Sequence, residues 1–306
     1  MHQKRGKTAA YCLYFDCGAD GMDWIERLND AVKYIEENLP DDVDYSLAAK
    51  KACCSLYHFQ RMFSYISGIP LSEYVRRRKM SLAAADIIGG EKVIDTALKY
   101  GYSSPTAFNR AFKSVHGVAP SDARSCGTVL KSYPPLVFKI TVKGVYEMNY
   151  RIEKKDAFQV VGKSIPMERQ IEKNFAKIPL FWGECASNGT IESLCEIMSQ
   201  DKKGVLGISK CAEGEEWRYF IAVISDKVPN GFETLVVPSR SWAVFEGSGK
   251  SPEAIQELEK RIFTEWLPSS GYEYDQWPDV EFYISPDPQN AVFEIWIPVK
   301  KSSVNK

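Results

Sequence analysis

Tyrosine, glutamine and arginine placed one helical turn apart can read DNA. Tyr57, Gln60 and Arg61 have that spacing in the run Ser55–Phe63, with His58 beside them. In a major groove arginine pairs with guanine, glutamine with adenine, and a tyrosine ring packs on sugar or a thymine methyl. A polar helix face of this kind is more often merely solvated, so the run alone does not decide. A second set of similar grammar follows, with Thr106, Asn109, Arg110 and Lys113 in the run 104–115. Two such sets in one chain are hard to explain as surface accident. A third group lies near the C-terminus. Glu281 and Tyr283 alternate with Val280, Phe282 and Ile284, and Glu294 and Trp296 alternate with Phe293, Ile295 and Ile297. Strand alternation puts the acidic and aromatic side chains on one face. A carboxylate among ring faces suits a small, apolar, cationic guest; the plainer reading is a solvated sheet face.

The elements that must position the first two groups are helical. Ile25, Leu28, Val32 and Ile35 repeat at helical spacing over 23–38, with Asp23 as a cap and Pro40 as a stop. A short helix over 46–52 and a turn at Cys53 and Cys54 lead to Ser55, a good N-cap. Leu56, Phe59, Met62 and Phe63 then share an apolar face, and Gly68 closes the helix. A longer helix, 71–88, joins this unit to the next. Its run Arg76-Arg77-Arg78-Lys79 wraps the cylinder, so one member is expected to form an internal salt bridge and the others to be solvated or to face phosphate. The second unit has helices over 93–100 and 104–115, the latter with Phe108, Ala111, Phe112 and Val115 inward, and a last turn from Pro120 to Arg124. A stiff joining helix would set the two readers about one DNA turn apart, roughly 34 Å. Gln60/Arg61 and Asn109/Arg110 should then point, unobstructed, to the same side.

After Ser132-Tyr133-Pro134-Pro135 the pattern turns from helical to alternating. Val137–Val142 reads as a first strand. Two similar halves follow: a strand at 158–163, a helix at 168–185, strands at 204–211 and 217–225; then a strand at 234–247, a helix at 251–266, strands at 280–285 and 291–299. The helix expected over 190–199 has no counterpart in the second half. The fold class is therefore multidomain: an all-α tandem helix-turn-helix domain followed by an α+β domain with two strand-helix-strand-strand repeats. Helices on one sheet face would leave the other free to bind. The expected segments are a disordered or extraneous 1–21, a DNA-binding domain over 22–125, a linker over 126–144, a second domain over 145–300, and a tail from 301 to 306.

The 306 residues are ample for two domains, and 44% hydrophobic with 26% charged residues is ordinary for a globular chain. Net charge is −1, so any attraction to phosphate must come from distribution. Residues 55–80 carry Arg61, Arg76, Arg77, Arg78 and Lys79 against Glu73 alone, whereas 36–44 are purely acidic. Eight cysteines, none in a CxxC, and three histidines argue against a zinc site and read as reduced thiols of a cytoplasmic protein. No apolar run is long enough to span a membrane. No cofactor is implied.

The stretches HFQRMF (58–63), SGIPLSEYVRRRKMSLAA (67–84) and ALKYGYSSPTAFNRAFKSVHGVAPSDAR (97–124) resemble the AraC-type regulators. That resemblance implies DNA-reading roles for Tyr57, Gln60 and Arg61, and for Thr106, Asn109 and Arg110. Pro105 and Ala107 depart from it, standing where polar readers often sit. Residues 145–300 resemble the GyrI-like effector-binding family through VVGKSIPM (160–167), IPLFW (178–182), RYFIAV (218–223), VPSRSWAVFEG (237–247), VEFY (280–283) and FEIWIPV (293–299). This second resemblance implies that Glu281 contacts the ligand and that Trp182, Tyr219 and Trp296 wall the pocket. The expected function is sequence-specific, double-stranded DNA binding under control of a small hydrophobic or cationic effector, with RNA polymerase as a further partner. Two rivals remain at this point: a hydrolase of strained electrophiles using Glu281 as general base, and a DNA-binding protein whose second domain sequesters a partner protein.

Overall fold

The computed structural model describes residues 24–139, 147–201, 203–212, 214–275, 277–285 and 287–302. The expectations for 1–21, the Asp23 cap, most of the 301–306 tail and part of the 126–144 linker lie outside them. The helical part runs α1 (Trp24–Glu37), α2 (Tyr45–Lys51), α3 (Leu56–Ser67), α4 (Leu71–Ile88), α5 (Val93–Lys99) and α6 (Pro105–His116). Local chemistry sets these bounds. The Asp44 carboxylate accepts from the amides of Ser46 and Leu47, starting α2. Ser55 and Ser104 cap α3 and α6 in the same way, and Gly68 ends α3 in the left-handed region at φ 75°.

All four members of the basic run on α4 have partners: Arg78 is the expected internal salt-bridge former, Arg76 and Arg77 stay half-exposed, and buried Lys79 corrects the expectation of a solvated or phosphate-facing group. Arg76 and Arg77 both grip Glu73. Arg78 pairs with Glu36 at 2.6 Å, and Lys79 donates to the carbonyls of Asp41 and Tyr100. A basic residue wrapped round a helix meets whichever neighbour lies on its side, and here those neighbours are acids and helix ends. The segment after α6 is docked instead of loose. Asn29 exchanges two hydrogen bonds with the backbone of Phe138, Tyr74 accepts from the Leu136 amide, and Phe138 is buried. Residues 137–139 form no strand.

The second part runs β1 (Tyr150–Lys155), β2 (Phe158–Pro166), α7 (Asn174–Ser187), α8 (Thr190–Ile197), β3 (Val205–Lys210), β4 (Arg218–Ile224), β5 (Glu233–Val237), β6 (Arg240–Gly249), α9 (Glu253–Arg261), a π-turn at Ile262–Trp266, β7 (Tyr272–Tyr274), β8 (Val280–Ser285) and β9 (Ala291–Lys301). The strand order is β1-β6-β9-β8-β3-β4-β2-β5, with β7 on β9, and every pairing is antiparallel. Read from its centre the order is symmetric. In each half the first strand is outermost, the last strand is in the middle and the third meets its counterpart. The repeat therefore closes at the β3–β8 seam, where Gly207 faces Glu281.

The free sheet face expected from the sequence does not exist. Cross-strand partners share a face, and the register pairs Val280 with Trp296 and Phe282 with Glu294, but Glu281 with Ile295 and Tyr283 with Phe293. Val280, Phe282 and Trp296 join Leu206, Ile208, Phe220, Trp242 and Val237 in a closed core. The sheet curls enough to bring residues from near both of its edges into that core. Glu281 and Tyr283 lie on the opposite, helix-covered face. Glu281 and Trp296 therefore cannot line the same pocket.

Candidate functional site

The site forms at the seam because a glycine stands opposite a glutamate. A Cβ at Gly207 would fall 2.2 Å from the Tyr219 hydroxyl and 2.9 Å from Glu281 Oε2, so only glycine leaves room for both groups. Tyr219 and Tyr283 both donate to Oε2 of Glu281, at 3.2 and 2.9 Å. Trp182 on α7 donates its indole N–H to the Tyr219 oxygen at 3.0 Å and packs edge-on against Tyr283. Four of the five residues expected to bind ligand, Glu281, Tyr219, Tyr283 and Trp182, thus meet in one place. The fifth, Trp296, is 1% exposed on the other face, where it stacks on Phe282 and donates to Glu294. Glu281 keeps some accessible surface, and its Oε1 receives no hydrogen bond from a described residue. Burial, followed by the negative charge of Glu259, raises its pKa to about 7.

Over this seam α3 packs against α9, the π-turn that follows it and the turn that precedes α7. This corrects the expectation that the first reader is free. Tyr57, His58, Gln60 and Arg61 are only 2–8% exposed. Tyr57 donates to Ser209 on β3 at 2.8 Å and meets Trp217 edge-on. Gln60 accepts from the Ile171 amide. His58 stacks on Tyr274 with ring centres 3.5 Å apart, and burial lowers its pKa to about 3, so it is neutral. Arg61 donates to Asp279 at 2.6 Å and to Glu259 on α9, and Tyr65 donates to the other oxygen of Glu259. Burial works against the guanidinium charge, but Asp279 and Glu259 lift its pKa well above the usual range. The physical reason is that this face is not simply polar. Tyrosine, histidine and the arginine stem carry large apolar surfaces that pack well once their few polar atoms are satisfied.

The second set of expected DNA contacts lies on the surface. Thr106, Asn109, Arg110 and Lys113 are exposed, while Phe108, Phe112 and Val115 are buried beneath them. Sequence reasoning missed Glu259, Asp279, Ser209, Tyr65 and Tyr274. One signal was available: Glu259 lies four residues after Ile255 and four before Phe263, on the buried stripe of its helix, where a carboxylate needs a partner. Asp279 and Ser209 carried no such mark.

One thiol among the described residues departs from the expected reduced state. Cys53 is disulfide-bonded, whereas Cys54, Cys126, Cys185, Cys195 and Cys211 are free. Among the described residues no cluster could hold a metal ion, and no helix is long and apolar enough to cross a membrane.

Comparison with known proteins agrees with the two-part architecture. Residues 48–125 match the family described as helix-turn-helix domain, and residues 151–299 the family described as integron-associated effector binding protein. The transcriptional activator AarP of Providencia stuartii is 36% identical over 95 residues, covering 31% of this chain and 70% of AarP. The regulatory protein SoxS of Escherichia coli K12 is 32% identical over 98 residues, 32% of this chain and 92% of SoxS. Among solved structures, SAV2435 bound to tetraphenylphosphonium is 25% identical, with a TM-score of 0.43, over 50% of this chain and 94% of SAV2435. An integron cassette protein of Vibrio cholerae is 20% identical, with a TM-score of 0.38, over 49% of this chain and 95% of its own.

Proposed function

We propose, from the premise that this chain belongs to the AraC-type transcription regulators and carries an integron-type effector-binding domain behind its helix-turn-helix units, that it senses a small lipophilic cation at Glu281 and reads DNA with both units. Residues 22–125 serve as the DNA-binding domain, 126–144 as the linker and 145–300 as the effector domain. The observation that carries the effector reading is a single carboxylate, fixed by two tyrosine hydroxyls, inside an aromatic shell. A half-buried carboxylate with no cation on its free oxygen is costly, and a cationic guest with aromatic surface relieves that cost through charge and ring faces together. The chemistry favours binding over turnover. Among the described residues no second nucleophile or base stands beside Glu281 to share a hydrolytic step, and the reading takes binding as its role. RNA polymerase is the natural second partner, in keeping with the name of AarP as an activator. A cytoplasmic site of action follows from DNA as the target.

Tetraphenylphosphonium serves as a probe cation in calorimetry on the full chain. Wild type should bind it, and Glu281→Gln should lose at least tenfold in affinity; equal affinities would remove Glu281 from the site. The pH profile gives a second check. Because Glu281 must be ionised to hold the cation and its pKa lies near 7, affinity should rise with pH and level off above about 7. Below that it should fall by up to about tenfold per pH unit. The Glu281→Gln variant should be flat over the same range. For the exposed reader, Arg110→Ala should weaken binding to a preferred duplex by about 1–3 kcal/mol in an anisotropy titration; an unchanged isotherm would take Arg110 off the DNA.

A further inference from the structure

The α3 helix meets the effector domain with the same side chains that the DNA-reading assignment sends into a major groove. Tyr57, Gln60 and Arg61 cannot do both at once, since each is buried against β3, the α7 approach or α9. Arg61 is the centre of the contact. Its guanidinium lies between Glu259 and Asp279, over the rings of Tyr57 and Tyr65. Two buried carboxylates and two ring faces make a site for a planar, hydrogen-bonding cation. The site is distinct from Glu281, whose hydrogen bonds are with Tyr219 and Tyr283, yet close enough for Glu259 and Asp279 to influence that carboxyl group. With Arg61 withdrawn, one interior would hold Glu259, Asp279 and Glu281 and no basic partner for the first two among the described residues.

We infer that Glu259 and Asp279 form a second cation subsite, filled here by the chain's own Arg61, and that an aromatic amidinium or guanidinium takes its place and releases α3 to DNA. The inference rests on the reading of the second domain as a cation sensor. In the closed form DNA can be gripped through α6 alone. When α3 is released, both units are available to adjacent grooves. Coupling has a physical origin: guest and helix compete for the same two carboxylates, so binding one shifts the population of the other. The tetraphenylphosphonium ion, which has no N–H, can offer charge and ring faces to Glu281 but cannot replace the hydrogen bonds of Arg61. A diamidine can.

The test uses the full chain, a duplex selected by the chain from a random pool, and pentamidine as the probe diamidine. In wild type, pentamidine should raise hydrogen exchange across residues 56–67 and tighten DNA binding at least tenfold. Asp279→Asn, which leaves every reader in place, should tighten DNA binding by itself and shrink the further effect of pentamidine. Asp279→Asn that stays folded by circular dichroism yet binds DNA no better, with 56–67 still protected, would overturn the inference. Should that variant not fold, wild-type exchange decides alone: pentamidine bound with no change over 56–67, or no pentamidine binding at all, is equally fatal. Failure of the parent reading looks different. Tetraphenylphosphonium would then be indifferent to Glu281→Gln, while Asp279→Asn still frees α3.

Discussion

Arg61→Ala should loosen α3 from the effector domain by about 3–5 kcal/mol, the usual consequence of removing one partner of a buried ion pair. Two carboxylates, Glu259 and Asp279, would be left without their guanidinium, and among the described residues the Tyr65 hydroxyl would be the one donor still on Glu259. The effect is readable by urea denaturation. Wild type should unfold in one transition that includes α1–α3 together with the second part, because their apolar residues form one core. The variant should show either a lower midpoint or a separate early phase. Arg61→Lys should fall between the two, since an ammonium restores charge but not the forked pair. An unaltered transition in Arg61→Ala would mean that the pair holds nothing together. On the proposed reading the same substitution also removes a base-contacting group, so the released helix should bind DNA less well than in Asp279→Asn. A purely structural role for Arg61 would not separate those two variants.

Trp296→Ala should cost about 3–5 kcal/mol of stability and leave the tetraphenylphosphonium affinity of the folded protein unchanged. The side chain fills the closed core with Trp242 and Phe282, away from Glu281. Trp182→Ala should do the reverse. That ring is only partly buried, and it orients Tyr219 through its N–H, so affinity should drop with little loss of stability. Thermal unfolding and calorimetry on the two variants check the pair. Lost affinity in folded Trp296→Ala would return that residue to the pocket.

The contrast between Trp182 and Trp296 shows what strand periodicity can and cannot supply. Alternation separates Glu281 from Val280 and Phe282 correctly. It does not say which parity meets the helices, and in a sheet buried on both faces the apolar residues no longer mark one side. In β9 the apolar set Phe293, Ile295 and Ile297 faces the helices, whereas in β8 the apolar Val280 and Phe282 face away. Only register relates the two strands, and register depends on partners far apart in the chain. Helices were more legible because their signals are local. The bounds of α4 and the caps at Ser55 and Gly68 follow from adjacent residues. The first reader illustrates the limit of local signals. Its helix, its cap and its inward residues were readable, but the burial of Tyr57, His58, Gln60 and Arg61 depends on a domain more than a hundred residues downstream. Glu259 was the nearest thing to a clue.

A crossed titration tests most directly whether one helix face serves two partners. Pentamidine affinity is measured on the full chain with and without saturating duplex, and duplex affinity with and without saturating pentamidine, each corrected for the pentamidine that the bare duplex binds. Linkage requires both to change by the same factor. We expect mutual tightening of at least tenfold in wild type, and a smaller factor in Asp279→Asn, whose α3 is already loosened. Affinities that ignore each other, or a diamidine that drives the protein off DNA, would contradict the account.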